Sequence, residues 1–427
     1  MKFSDTFCSS PWIHMRIDNQ GNYYFCRFAD PVNERIHNIK DMDPATFFQH
    51  YMSDVRMQLL NGHSPVDCAS CLLQDEHGKV SGRKKQLIKT GVMDQNFEKS
   101  LASSPWVPKF TESLNNNGYT DQLPVDWQID LGNYCNSACV FCIPRFSSRI
   151  ALEFKKLGFI DELPANSWCN DPVLLDKFVS VLENTPNLKY LHFLGGETLI
   201  TPAFKTILQR LIAAGKTEAT IGFTTNLTIW DDETIELLAQ FHNVNVGLSI
   251  ETLNNVNDYI RYPINTNKAK VLLDKWVEYS HRYGWLIQIR ITPTILSILH
   301  ITDLYDYALK NNTILEACNF IRDPDFMRPS VLPMEHRKHA IEKLQTWINA
   351  NGQMPDSAII NTRNPDTIRE FLSQDCQSYV NYLKNQPDES HLLPKLVEYI
   401  KKLEQNRNNT ILDYLPEYEN FLRSAGY

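Results

Sequence analysis

Asn133-Tyr134-Cys135-Asn136-Ser137-Ala138-Cys139-Val140-Phe141-Cys142 follows directly on an apolar, strand-like stretch, Trp127–Leu131. Its cysteines are spaced C-x3-C-x2-C, and three thiolates so close together can bind three corners of a cubane iron–sulfur cluster. An iron without a protein ligand stays open to an exogenous one. Zinc is the competing occupant, but a structural zinc site takes four ligands, commonly as two separated pairs. No fourth ligand follows this triplet closely.

From Val125 to about Asp323, strand-like and helix-like segments alternate around that loop. The strands read as Trp127–Leu131, Tyr190–Leu194, Thr220–Thr224, Val244–Ile250, Leu286–Thr292 and Ala317–Ile321. Between them, Asp171-Pro172 and Thr201-Pro202 open helices, and Gly215 closes the second. Further helical patterns cover Thr234–Gln240, Asn267–Tyr283 and Thr302–Lys310. Strands alternating with helices imply a parallel sheet. The strands read as short apolar runs without clean alternation, as expected of strands covered on both faces. A parallel (β/α) barrel carries its chemistry at the C-terminal ends of its strands. Those ends here are the cysteine loop, Gly195-Gly196-Glu197, Thr224-Thr225-Asn226, Ser249-Ile250-Glu251 and the strand containing Arg290.

This pattern resembles the radical S-adenosylmethionine (SAM) superfamily, an α/β fold built on a partial (β/α)6 barrel. The resemblance implies a 4Fe-4S cluster on Cys135, Cys139 and Cys142, with SAM on its fourth iron. Reductive cleavage of SAM then gives a 5′-deoxyadenosyl radical that abstracts hydrogen. By the same resemblance Gly195, Gly196 and Glu197 hold the SAM amino group, and Ser249 and Glu251 lie by the ribose. Arg261, in Tyr259-Ile260-Arg261, pairs with the SAM carboxylate. Phe141 packs on adenine, and Asn226 matches a third-strand T-N motif.

The chain has 427 residues, 43% apolar and 22% charged, as in soluble globular proteins of more than one domain. Its net charge of −8 gives no electrostatic case for nucleic-acid binding. There is no apolar signal region at the start and no apolar run long enough to span a bilayer, so a cytoplasmic protein is expected. Ten cysteines then suggest metal or redox use rather than disulfides.

Four of those cysteines lie upstream. Ile13–Ile17 and Asn22–Phe25 flank the turn Asp18-Asn19-Gln20-Gly21, a hairpin that brings Cys8 near Cys26. A helical region from Asp43-Pro44 to Asn61-Gly62 precedes Cys68-x2-Cys71. Hairpin, helices and C-x-x-C resemble the twitch module, the shortened relative of the SPASM domain, here placed before the barrel. That resemblance implies an auxiliary 4Fe-4S cluster on Cys8, Cys26, Cys68 and Cys71; tetrahedral zinc is the rival.

The expected domains are residues 1–100 (auxiliary cluster), 101–124 (linker), 125–330 (barrel) and 331–427 (a helical C-terminal region). Amphipathic helices are expected over Glu335–Asn349 and Lys395–Asn406. Cys169, Cys318 and Cys376 fit no cluster pattern. Buried packing is their default, with Cys318 a candidate hydrogen donor to a substrate radical.

The implied function is a radical SAM maturase acting on a ribosomally made precursor peptide. It would form a cross-link, epimerise a residue or excise backbone, as spliceases do. Implied partners are that peptide, a small leader-recognition protein, and an electron donor such as flavodoxin or ferredoxin. The alternatives are a radical SAM dehydrogenase or rearrangement enzyme acting on a small molecule, and a zinc-stapled scaffold without activity.

Overall fold

The computed structural model describes residues 4–29, 37–76, 81–94, 104–317, 321, 323–352 and 367–427. Its centre is one eight-stranded sheet: β1 (His14–Ile17), β2 (Tyr23–Tyr24), β3 (Asp126–Asp130), β4 (Tyr190–Leu194), β5 (Thr220–Thr225), β6 (Asn243–Ser249), β7 (Leu286–Ile291) and β8 (Ile314–Ala317). The order is β2-β1-β3-β4-β5-β6-β7-β8, with every pair parallel except β1–β2. The barrel strands fall where the sequence places them, except the last. β8 ends at Ala317, where the sequence reading begins.

Most strands alternate, where short apolar runs without clean alternation were expected, although Leu194, Leu286 and Ile314 share the otherwise polar face. Trp127, Ile129, Leu191, Phe193, Ile221, Phe223, Val246 and Ile289 are buried, facing the helices. The opposite face, toward the lumen, carries Asp126, Gln128, Asp130, Tyr190, His192, Thr224, Asn245, Gln288, Arg290 and Glu316. Only one face is therefore an apolar core. The other is polar enough to hold a ligand, and its apolar members Leu194, Leu286 and Ile314 blur the period.

Local chemistry sets the helix ends. Asp171 accepts hydrogen bonds from Val173 and Leu174 N–H, with Pro172 opening the helix Pro172–Asn184. Gly284, at φ 69°, closes the helix Thr266–Tyr283 in the left-handed conformation.

The hairpin β1–β2 does not stand apart. β1 lies parallel on β3, pairing His14 with Asp126 and Ile17 with Ile129. The expected linker stretch contains a helix, Val107–Asn115, whose Phe110 packs edge-on against Trp12 at 5.0 Å. At the other end, helices Met334–Asn351, Ile368–Asn385 and Leu393–Arg407 form the C-terminal region. No helix among the described residues is long and apolar enough to cross a membrane.

Candidate functional site

The cysteine loop leaves the C-terminal end of β3 and is held by the neighbouring strand ends. Gly196 N–H donates to Gly132 O at 2.9 Å and Glu197 N–H to Tyr134 O at 2.8 Å. A Cβ on Gly196 would stand 2.2 Å from Tyr134 O, and one on Gly195 2.9 Å from Gly132 O. The glycine pair thus makes room first for the cysteine loop's own backbone.

From β5, Asn226 donates through Nδ2 to Asn136 Oδ1 at 2.8 Å and Ser137 Oγ at 2.9 Å. Its N–H donates to Glu197 Oε2 at 2.6 Å. Ala138 and Val140 N–H donate to Tyr262 and Ile260 O, tying the loop to the segment that carries Arg261.

Burial pushes the Cys135 thiol up to about 11, with Cys139 adding to the effect. Cys139 and Cys142 are pushed up by burial as well. Bare, these thiols stay protonated at neutral pH, and a metal is what would hold them as thiolates.

Glu197 is fully buried and forms no ion pair among the described residues; burial pushes its carboxyl up to about 7. Arg261 is buried and pairs through Nη1 with Glu251 Oε1 at 2.8 Å, while its Nε has no partner. Glu251 spends its second oxygen on Thr292 N–H at 2.8 Å, so both its oxygens serve the protein. Ser249 ends β6 on the lumen face, and Phe141 is half-buried against the core.

Residues the sequence did not point to come from far along the chain. Arg407 donates to Ala138 O at 2.7 Å, and Tyr399 OH donates to Val140 O at 2.8 Å, one on each side of Cys139. Arg407 also pairs with buried Glu153 at 2.6 Å. A separation of more than 250 residues leaves no local signal for these contacts.

Cys8, Cys26, Cys68 and Cys71 line one cavity together with His14, Asp67 and Arg83. Burial raises all four thiols and pushes Cys68 up to about 12, with Cys26 and Cys71 adding to it. No three metal-ligating side chains among the described residues close on a single ion position; the four thiols ring a cavity instead.

Of the remaining cysteines, Cys169 donates to Leu131 O at 2.9 Å and Cys376 is buried between helices, both in packing roles. Cys318 lies outside the described residues.

The parallel strands thus gather a three-thiol loop, a glycine–carboxylate turn and a buried guanidinium at one mouth. Residues 129–292 match the family model of the Radical SAM superfamily.

The sporulation killing factor maturation protein SkfB of Bacillus subtilis is 24% identical over 171 residues, 39% of this chain and 37% of that protein. The chain thus spans little more than a third of that curated relative. Two solved structures are also similar. Streptococcus suis SuiB bound to precursor peptide SuiA has a TM-score of 0.39 and 16% identity, covering 81% of this chain and 70% of that one. Native anSMEcpe with bound AdoMet has a TM-score of 0.36 and 15% identity, covering 52% and 61%.

Proposed function

We propose that the whole chain is a radical SAM enzyme that modifies a ribosomally made peptide, carrying an auxiliary 4Fe-4S cluster beside the SAM-binding one. The observation that carries this reading is the cysteine loop locked between Gly195-Gly196-Glu197, Asn226 and Arg261 above a polar lumen. Cys135, Cys139 and Cys142 hold the first cluster. When bound and charged by an external reductant, the cluster would supply one electron to SAM, whose reductive cleavage would supply the hydrogen-abstracting radical chemistry.

The chain's own groups fit that pair. Glu197 offers a desolvated acceptor to the SAM amino group, and the Nε of Arg261 an unused donor to its carboxylate. In this reading Ser249 serves the ribose and Phe141 the adenine. Asn226 acts on the loop rather than on SAM, and Glu251 acts through Arg261.

The four upstream thiols ring a cavity, which suits a multi-iron cluster better than one tetrahedral zinc. With four thiolate ligands that cluster would be saturated and would relay electrons. The name of the B. subtilis relative, a killing-factor maturation protein, supports a peptide substrate. The modification would be a cross-link, an epimerisation or a backbone excision. An external reductant and a leader-presenting partner belong to the same reading.

Anaerobic reconstitution should load about eight irons, falling to about four when Cys8, Cys26, Cys68 and Cys71 are changed to Ala. Replacing Cys135, Cys139 and Cys142 with Ala should abolish 5′-deoxyadenosine formation, and SAM cleavage persisting in that variant would overturn the assignment. Mass spectrometry of peptides encoded beside the protein tests the substrate. SAM turnover with every such peptide unchanged would favour a small-molecule substrate.

A further inference from the structure

The helix Gly82–Lys89 reads Gly-Arg-Lys-Lys-Gln-Leu-Ile-Lys, without an acidic residue, in a chain whose net charge is −8. Its Gly82, Arg83 and Gln86 line the four-thiol cavity, together with Arg27 and Phe28 from the segment after β2. On a helix, positions three, four and seven apart share one stripe with the first. Gly82, Lys85, Gln86 and Lys89 are such a set, so two lysines continue the stripe that borders the thiols.

Phe28 stands at the head of that stripe. Its ring lies over Gly82, where a Cβ would collide with it, and the residue is 47% exposed. Its backbone N–H donates to Cys26 Sγ at 3.4 Å. A solvent-facing aromatic side chain is therefore joined by its own backbone to one of the four sulfurs.

The cations around Phe28 have partners, but the partners lie deeper. Arg83 and Lys84 pair with Asp75 at 2.5 and 3.4 Å, and Arg27 pairs with Asp126 at 3.6 Å, as does Lys89. The side chains of Asp75 and Asp126 are 13% and 2% exposed, whereas those of Lys84, Arg27 and Lys89 are 25%, 34% and 50% exposed. Asp67, which also lines the cavity, is buried. Lys85 is exposed and forms no ion pair among the described residues. The acids thus face inward and the cations outward, and the surface turned to water is positive.

An exposed apolar centre with a charged rim is the anatomy of a protein interface, and electron-transfer encounters are small and steered by charge. We propose that this face docks an acidic one-electron carrier protein, of the flavodoxin or ferredoxin kind, with Phe28 at its centre and Lys84, Lys85 and Lys89 on its rim. Carrier and auxiliary cluster exchange one electron there, and no bond forms or breaks. The inference rests on reading the four thiols as a cluster site. Four thiolates put negative charge behind the face, and the rim lysines keep it from repelling an acidic carrier.

Protein with Cys135, Cys139 and Cys142 changed to Ala isolates the upstream site. Its iron content is read first and should be about four atoms after reconstitution. No iron, or zinc in its place, overturns the cluster reading and this inference with it. With iron in place, the remaining measurements bear on the docking face alone.

Binding of oxidised flavodoxin, followed by calorimetry, should weaken about tenfold between about 50 and about 300 mM salt. Lys85→Glu should weaken it by a similar factor, and Lys268→Glu, on the helix Thr266–Tyr283, should not. Phe28→Ser should slow reduction of the cluster by flavodoxin hydroquinone, followed by its visible absorption, and leave reduction by dithionite unchanged. Equal losses at Lys85 and Lys268, unchanged binding in Lys85→Glu, or reduction of Phe28→Ser by flavodoxin at the wild-type rate overturns the proposal. Hexaglutamate binding as tightly as flavodoxin would make the face a general site for acidic peptides and overturn it as well.

Discussion

Glu197 concentrates the chemistry of the mouth in one side chain. It is fully buried, accepts from Leu199 N–H at 3.1 Å and Asn226 N–H at 2.6 Å, and burial moves its carboxyl from an ordinary 4.5 to about 7. The folded state prefers the protonated form. Its contribution to stability is therefore full below about pH 4.5 and lost as pH rises through about 7. A ligand that offers N–H groups prefers the ionised form, which is purely an acceptor. Apparent SAM affinity of the reconstituted protein should thus tighten about tenfold between about pH 6 and about pH 8. Glu197→Gln should bind weakly with a flat profile, and a flat profile in wild type would remove Glu197 from the SAM contact. Gly196→Ala tests the neighbouring backbone. Its Cβ would stand 2.2 Å from Tyr134 O, so the loop must shift. Iron content after reconstitution should fall by about four atoms, and full loading would show that the loop yields without cost.

The helix Leu393–Arg407 does more than cover the barrel. Arg407 and Tyr399 grip the carbonyls on either side of Cys139, and the Arg407–Glu153 pair is buried. Arg407→Met leaves Glu153 buried without its partner and should cost about 3–5 kcal/mol in denaturant unfolding. Arg407→Met combined with Glu153→Met should recover most of that loss. Loss of the cation beside the cysteines should still move the reduction potential of the SAM-binding cluster to more negative values in the double variant. A potential equal to wild type in an EPR-monitored titration would reduce this helix to a structural cover. The contrast with the sequence is physical. The triplet, Gly195-Gly196-Glu197 and the helix caps are local patterns of a few residues, and they were legible. Arg407, Tyr399 and Glu153 meet only through tertiary contact, and no periodicity records such a meeting. The polar lumen was written in the strands, as in Leu286-Ile287-Gln288-Ile289-Arg290-Ile291. Its period is blurred where apolar Leu194, Leu286 and Ile314 stand on that same face.

For the molecule as a whole, β1 decides how much of the chain must fold together. It pairs in parallel with β3, and the four-thiol cavity shares His14 with the lumen face of the sheet. Asp126 at the start of β3 is buried, and burial alone would raise its carboxyl. His14, Lys89 and Arg27, all from upstream, outweigh burial and hold it well below the usual carboxylate range. Removing the upstream segment would therefore strip β3 of its hydrogen-bonded edge and leave Asp126 a buried charge without cations. An uncovered, apolar sheet edge pairs with other chains, and an unpaired buried charge costs several kcal/mol. A fragment beginning at residue 104 should consequently aggregate or remain molten, even though it retains all six strands of the barrel proper. The full chain should unfold in denaturant with coincident transitions by tryptophan fluorescence and far-UV circular dichroism. Asp126→Asn leaves the edge intact but removes the charge. It should lower stability without aggregation, separating the two contributions. A soluble, monomeric fragment from residue 104 with native near-UV circular dichroism would show that the barrel folds alone and that the upstream hairpin merely docks.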